Sequence, residues 1–101
     1  MAFLRAVRQD EMPAGTVREV KLNERTIALV NVDGKFYALN NTCLHRGGPL
    51  GQGALAGGIL TCPWHGWQYE VSTGRVTFNP EMSIATYPVE IRNDEVWVDV
   101  D

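Results

Sequence analysis

RTIALVNV-DG-KFYAL, residues Arg25–Val32, Asp33-Gly34 and Lys35–Leu39, is the stretch that decides the fold class. Two runs rich in β-branched and aromatic residues flank Asp-Gly, a dipeptide suited to the positive φ angles of a two-residue hairpin turn. Within Arg25–Val32, Ile27 and Leu29 fall on one face while Ala28, Val30 and Val32 fall on the other. Apolar side chains on both faces predict a central strand covered on both sides.

The same alternation of short β-rich runs and turn dipeptides continues outward. Phe3–Val7 is a first strand, residues 10–15 form a turn or single helical turn, and Thr16–Leu22 leads through Asn23-Glu24 into Arg25. Further on, Ile59–Thr61, Trp67–Val71 and Arg75–Thr77 read as strands, the last two joined by a turn at Ser72-Thr73-Gly74. Ala85–Ile91 is expected to pair with Glu95–Val100 across Asn93-Asp94, with Val96, Val98 and Val100 sharing one face and Trp97 in the core. No window has a helical period. The expected architecture is all-β, an antiparallel sandwich or small barrel forming one domain over residues 1–101.

Composition excludes several classes of function. The chain has 101 residues, 45% hydrophobic and 21% charged, with a formal net charge of −3. Basic residues are scattered, which argues against nucleic acid as a partner. No apolar run is long enough for a signal peptide or a membrane span, so a reducing cytoplasm is the expected location, with thiols serving metals rather than crosslinks.

All the cysteine and histidine in the chain, two of each, falls in two matching boxes, Cys43-Leu44-His45 and Cys62-Pro63-Trp64-His65. Two thiolates and two imidazoles supplied in mixed pairs suit an asymmetric [2Fe–2S] centre, one iron held by Cys and the other by His. Zinc is the main alternative, as the metal of an interaction module. Zinc modules, however, usually pair Cys with Cys and then His with His. A Cys43–Cys62 disulfide would leave the matching histidines unexplained. Both boxes lie where strands give way to loops, inside a region of about 41–80, with a glycine-rich stretch from Gly47 to Gly58 between them.

The boxes extend to Cys43-Leu44-His45-Arg46-Gly47-Gly48 and Cys62-Pro63-Trp64-His65-Gly66-Trp67, and with the closing Thr86-Tyr87-Pro88-Val89 the chain resembles a Rieske-type ferredoxin. That resemblance implies the Rieske all-β fold with the cluster at one tip. It implies Cys43, His45, Cys62 and His65 as ligands and one [2Fe–2S] cluster per chain. It further implies a one-electron carrier, not itself an enzyme, expected to be a monomer. A flavin-containing reductase would supply the electron, and a terminal ring-hydroxylating oxygenase, docking at the His45/His65 tip, would receive it. The small Rieske-like subunit of an assimilatory nitrite reductase is the runner-up. Pro80 resembles the proline of the family's third, cluster-covering loop. Gly48 and Trp64 stand where high-potential relatives carry a disulfide, and Trp67 where they carry a hydroxyl. Tyr69 matches the tyrosine that bonds a cysteine sulfur. Fewer hydrogen bonds to sulfur imply a potential near the low end of the Rieske range, about −150 mV.

Overall fold

The computed structural model describes residues 2–64 and 66–100. Its strands are β1 (Phe3–Arg8), β2 (Val17–Leu22), β3 (Arg25–Val32), β4 (Lys35–Asn40), β5 (Ala54–Ala56), β6 (Ile59–Thr61), β7 (Gln68–Glu70), β8 (Arg75–Val76), β9 (Asn79–Ser83), β10 (Thr86–Tyr87), β11 (Val89–Arg92) and β12 (Glu95–Asp99). Two short 3-10 turns, Gln9–Glu11 and Leu50–Gln52, are the helical elements among the described residues.

These strands form three antiparallel sheets, in the orders β1-β12-β11, β10-β4-β3-β2 and β5-β6-β7-β8-β9. The alternation in β3 explains how they stack. Ile27 and Leu29 pack with Val7, Leu22, Phe36, Val96 and Val98, whereas Ala28 and Val30 pack with Leu39, Leu50, Leu60, Tyr69 and Val76. The β2–β3–β4 sheet is therefore the middle layer between two cores, as its doubly apolar central strand requires. Both cysteines belong to the core shared with the β5–β9 sheet.

The expected strand Ala85–Ile91 is instead two. Thr86–Tyr87 pairs with β4 in the middle sheet, and Val89–Arg92 pairs with β12 in another. Pro88 marks the switch, because it has no N–H to continue a ladder, and its carbonyl accepts a hydrogen bond from the Asp99 N–H. Trp97 is only half-buried and lies outside both cores, with the Arg92 guanidinium 5.1 Å above its ring. The glycine-rich stretch holds the second 3-10 turn and β5, which its small residues had hidden.

Candidate metal centre

The two cysteine boxes fold as the same loop built twice. The Cys43 carbonyl accepts from the Gly47 N–H at 3.0 Å, and the Cys43 N–H donates to the Gly48 carbonyl at 2.9 Å. In the second box the Cys62 carbonyl accepts from Gly66 at 3.2 Å, and the Cys62 N–H donates to the Trp67 carbonyl at 2.8 Å. Gly47 and Gly66, each four residues past its cysteine, have φ of +71° and +76°. That left-handed turn suits glycine and explains the recurrence of Gly in both boxes.

Cys43 and Cys62 are buried, unbridged and neighbours of one another. Burial pushes the Cys62 thiol up; such a thiol stays protonated until a metal ion displaces its proton. The fully buried Tyr69 hydroxyl lies 3.1 Å from Cys43 Sγ and accepts the Leu44 N–H at 3.0 Å. Since Leu44 already donates to the phenol oxygen, the phenol proton is left to point at the sulfur. Burial, and then the adjacent Cys43, raise the Tyr69 pKa and keep that proton in place. The His45 N–H donates to the same Sγ at 3.4 Å. A sulfur receiving two donors is suited to thiolate character, so the donor set fits a thiolate-bound iron–sulfur group.

Tyr69→Phe removes one of those donors and strands the Leu44 N–H. We expect a loss of about 1–3 kcal/mol in chemical unfolding and a more negative midpoint in a redox titration. The unsubstituted chain should titrate near −150 mV, at the low end of the Rieske range.

His45 is half-buried, and its ring stacks on Trp67 with centroids 4.9 Å apart and planes 1° from parallel. Trp67 in turn meets Phe78 edge-on at 4.8 Å. Trp67 thus gives His45 an aromatic wall. His65, the fourth expected ligand, lies outside the described residues. Between the loops, a Cβ on Gly48 would fall 2.8 Å from Cys62 Sγ and 3.1 Å from the Trp64 ring. The Gly48 position therefore has no room for a side chain beside Cys62 and Trp64. Pro80 is exposed within β9; Phe78, which the sequence reading did not single out, is the third-segment side chain in contact with Trp67.

The neck of the first loop is closed by residues that the motifs did not reveal. The Asn41 carbonyl accepts the Leu50 N–H at 2.7 Å, and its Oδ1 accepts the Gly51 N–H at 2.7 Å. Asn41 Nδ2 donates to Glu19 at 2.6 Å, and Gln52 Nε2 donates to the other Glu19 oxygen at 2.9 Å. Gly51 is required because a Cβ there would lie 2.3 Å from Glu19 Cγ. Gly51 thus serves this clamp. The Gln52 and then the Asn41 bonds hold the Glu19 carboxyl below its usual pKa. A folded pKa below the unfolded one stabilises above the ordinary carboxylate value and is lost as pH falls through the folded value. Glu19→Gln should therefore unfold at lower temperature than the parent chain at pH 7. The deficit is about 1 kcal/mol or less at this exposed position, and the difference should close in acid below the folded pKa of Glu19.

Residues 2–88 match the Rieske [2Fe-2S] domain. The ferredoxin component of the naphthalene 1,2-dioxygenase/salicylate 5-hydroxylase systems of Ralstonia sp. is 39% identical over 90 residues, covering 88% of this chain and 86% of the relative. The ferredoxin component of the Pseudomonas aeruginosa naphthalene 1,2-dioxygenase system is 35% identical over 99 residues, covering 97% and 95%. Among solved structures, a complex of reduced oxygenase and oxidized ferredoxin in carbazole 1,9a-dioxygenase contains a chain with TM-score 0.86 and 31% identity, covering 95% of this chain and 91% of that one. The chain belongs to the Rieske [2Fe–2S] family. These two relatives are ferredoxin components of dioxygenase systems, and neither the zinc-module nor the nitrite-reductase reading is favoured by them.

Proposed function

We propose that this chain is the ferredoxin of a ring-hydroxylating dioxygenase system, taking single electrons from a flavin-containing reductase and delivering them to a terminal oxygenase. Cys43, Cys62, His45 and His65 are assigned as the ligands of its cluster. When bound, the cluster supplies reversible one-electron chemistry. Cys43 and Cys62 would hold it from the buried side and the half-buried His45 would be a ligand, while Tyr69 and the His45 N–H donate to the Cys43 sulfur. The pair of buried, unbridged thiols on two equivalent loops, with His45 two residues beyond the first, carries this reading. No residue is assigned to substrate chemistry, because both histidines are spent on the cluster and a mononuclear iron triad needs two more. Cytoplasmic location and a monomeric state accompany the proposal, and no helix among the described residues is long and apolar enough to cross a membrane.

The test is reconstitution. The iron-loaded chain is mixed with a flavin-containing reductase and, in turn, with the terminal oxygenases of naphthalene and carbazole dioxygenase systems. Oxygenase turnover that requires the chain is the expected result. An iron-loaded chain that accepts electrons yet delivers none to either oxygenase overturns the proposal.

A further inference from the structure

Trp67 belongs to the second cysteine loop, yet its ring lies flat on a side chain of the first. The indole and the His45 imidazole are 1° from parallel with centroids 4.9 Å apart, an offset stack. Trp67 is itself fixed from several directions. Its carbonyl accepts the Cys62 N–H at 2.8 Å, and its side chain packs on the core that contains both cysteines. Phe78 meets it edge-on at 4.8 Å. The Thr77 N–H, donating to the Gln68 carbonyl at 2.9 Å, keeps Phe78 and Trp67 side by side. Three separate segments of chain, at 43–48, 62–67 and 77–78, are thus joined through aromatic faces.

A metal held by an imidazole lies in the plane of the ring, so that plane decides where the metal can sit. The chain alone sets the plane weakly, because the outer torsion of a histidine side chain is broad. A flat neighbour narrows it, since turning the imidazole drives its edge into the indole. We infer that Trp67, braced by Phe78, is a positioning residue for His45. It holds the imidazole plane for the cluster and ties the first cysteine loop to the second. This role rests on the proposed assignment of His45 as a ligand, and Trp67 acts through that side chain. Orientation is separable from simple cover. Leucine at position 67 would still cover apolar ground but would offer no flat face, whereas phenylalanine would offer one.

The experiment compares the iron-loaded chain with Trp67→Phe, Trp67→Leu and Phe78→Ala. Pulsed paramagnetic resonance of the reduced chains reads the histidine nitrogen couplings, which follow the geometry of each imidazole on its iron. Loss of visible absorbance in excess iron chelator reads cluster release, and urea unfolding reads the fold. Trp67→Leu is expected to shift one nitrogen coupling and to release the cluster about tenfold faster, as when a group that orients a metal ligand is lost. Trp67→Phe should restore the coupling and most of the lifetime, and Phe78→Ala should shift the same coupling by less. A Trp67→Leu chain with the parent's couplings overturns this role even if it releases the cluster faster, because Trp67 then serves packing alone. So does a Trp67→Phe chain that behaves as Trp67→Leu. If Trp67→Leu takes up no cluster, Phe78→Ala decides, and parental couplings in that variant overturn the role. A parent chain without histidine nitrogen coupling is a different failure, which removes the ligand assignment itself.

Discussion

Cys62→Ala, and equally Cys43→Ala, is expected to purify colourless, without iron or acid-labile sulfide, and to show no paramagnetic signal after reduction. Each cysteine is 2% exposed and unbridged. Each also begins a loop whose cysteine N–H and carbonyl are both bonded within that loop. Alanine leaves those backbone bonds intact and removes only the sulfur, so the substitution tests coordination more than folding. Leu60→Ala supplies the contrast. Leu60 is fully buried in the same core, and its truncation should cost about 2–5 kcal/mol in unfolding free energy while the chain keeps its colour. His45→Ala and His65→Ala should resemble the cysteine variants. A Cys62→Ala chain with full iron content and an unchanged spectrum would remove Cys62 from the ligand set.

The parts of the molecule legible in the sequence are those in which local chemistry and final environment agree. Strand β3 was readable because Ile27, Ala28, Leu29 and Val30 are all apolar and all end fully buried, on two faces that meet two cores. The boxes were readable because rare, chemically distinctive residues occur there and nowhere else. The Tyr69–Cys43 contact was legible only through family resemblance, since nothing local in Gln68–Glu70 announces a partner across the site. Glu19, Asn41 and Gln52 were missed for a related reason. Glu19 is separated from its two partners by long stretches of chain, and each of the three is an ordinary polar residue whose meaning comes from closing one loop neck. Phe78 was missed because an exposed aromatic in a turn carries no periodic signal. Pro88 was visible, but reading it as part of a strand ignored its inability to donate a ladder bond.

Gly53→Ala is expected to destabilise the fold by several kcal/mol, and Gly58→Ala to leave it unchanged or slightly more stable. A Cβ on Gly53 would fall 2.1 Å from the Thr61 carbonyl oxygen and 3.1 Å from that of Leu50. Both obstacles are backbone, so no side-chain rotation relieves the overlap. Either β5 moves off β6 or the second 3-10 turn lifts. The first change disturbs Thr61, the residue before Cys62, and the second disturbs Leu50 and Gly51, which Asn41 holds at the neck of the first loop. Overpacking of this kind commonly costs about 1–3 kcal/mol in side-chain cores, and occasionally more. A backbone obstacle places this site at the upper end. Gly58 has nothing within 4 Å of its Cβ position, and its φ lies outside the left-handed region. Alanine there restricts the unfolded chain and is worth up to about 1 kcal/mol in favour of folding. Urea unfolding of the two iron-loaded variants, read beside their iron content, separates the cases. Gly53→Ala should lose stability and cluster occupancy together, because the same strand edge positions both cysteine loops. A Gly53→Ala chain as stable and as fully loaded as Gly58→Ala would show that the contact between β5 and β6 does not hold the loops in register.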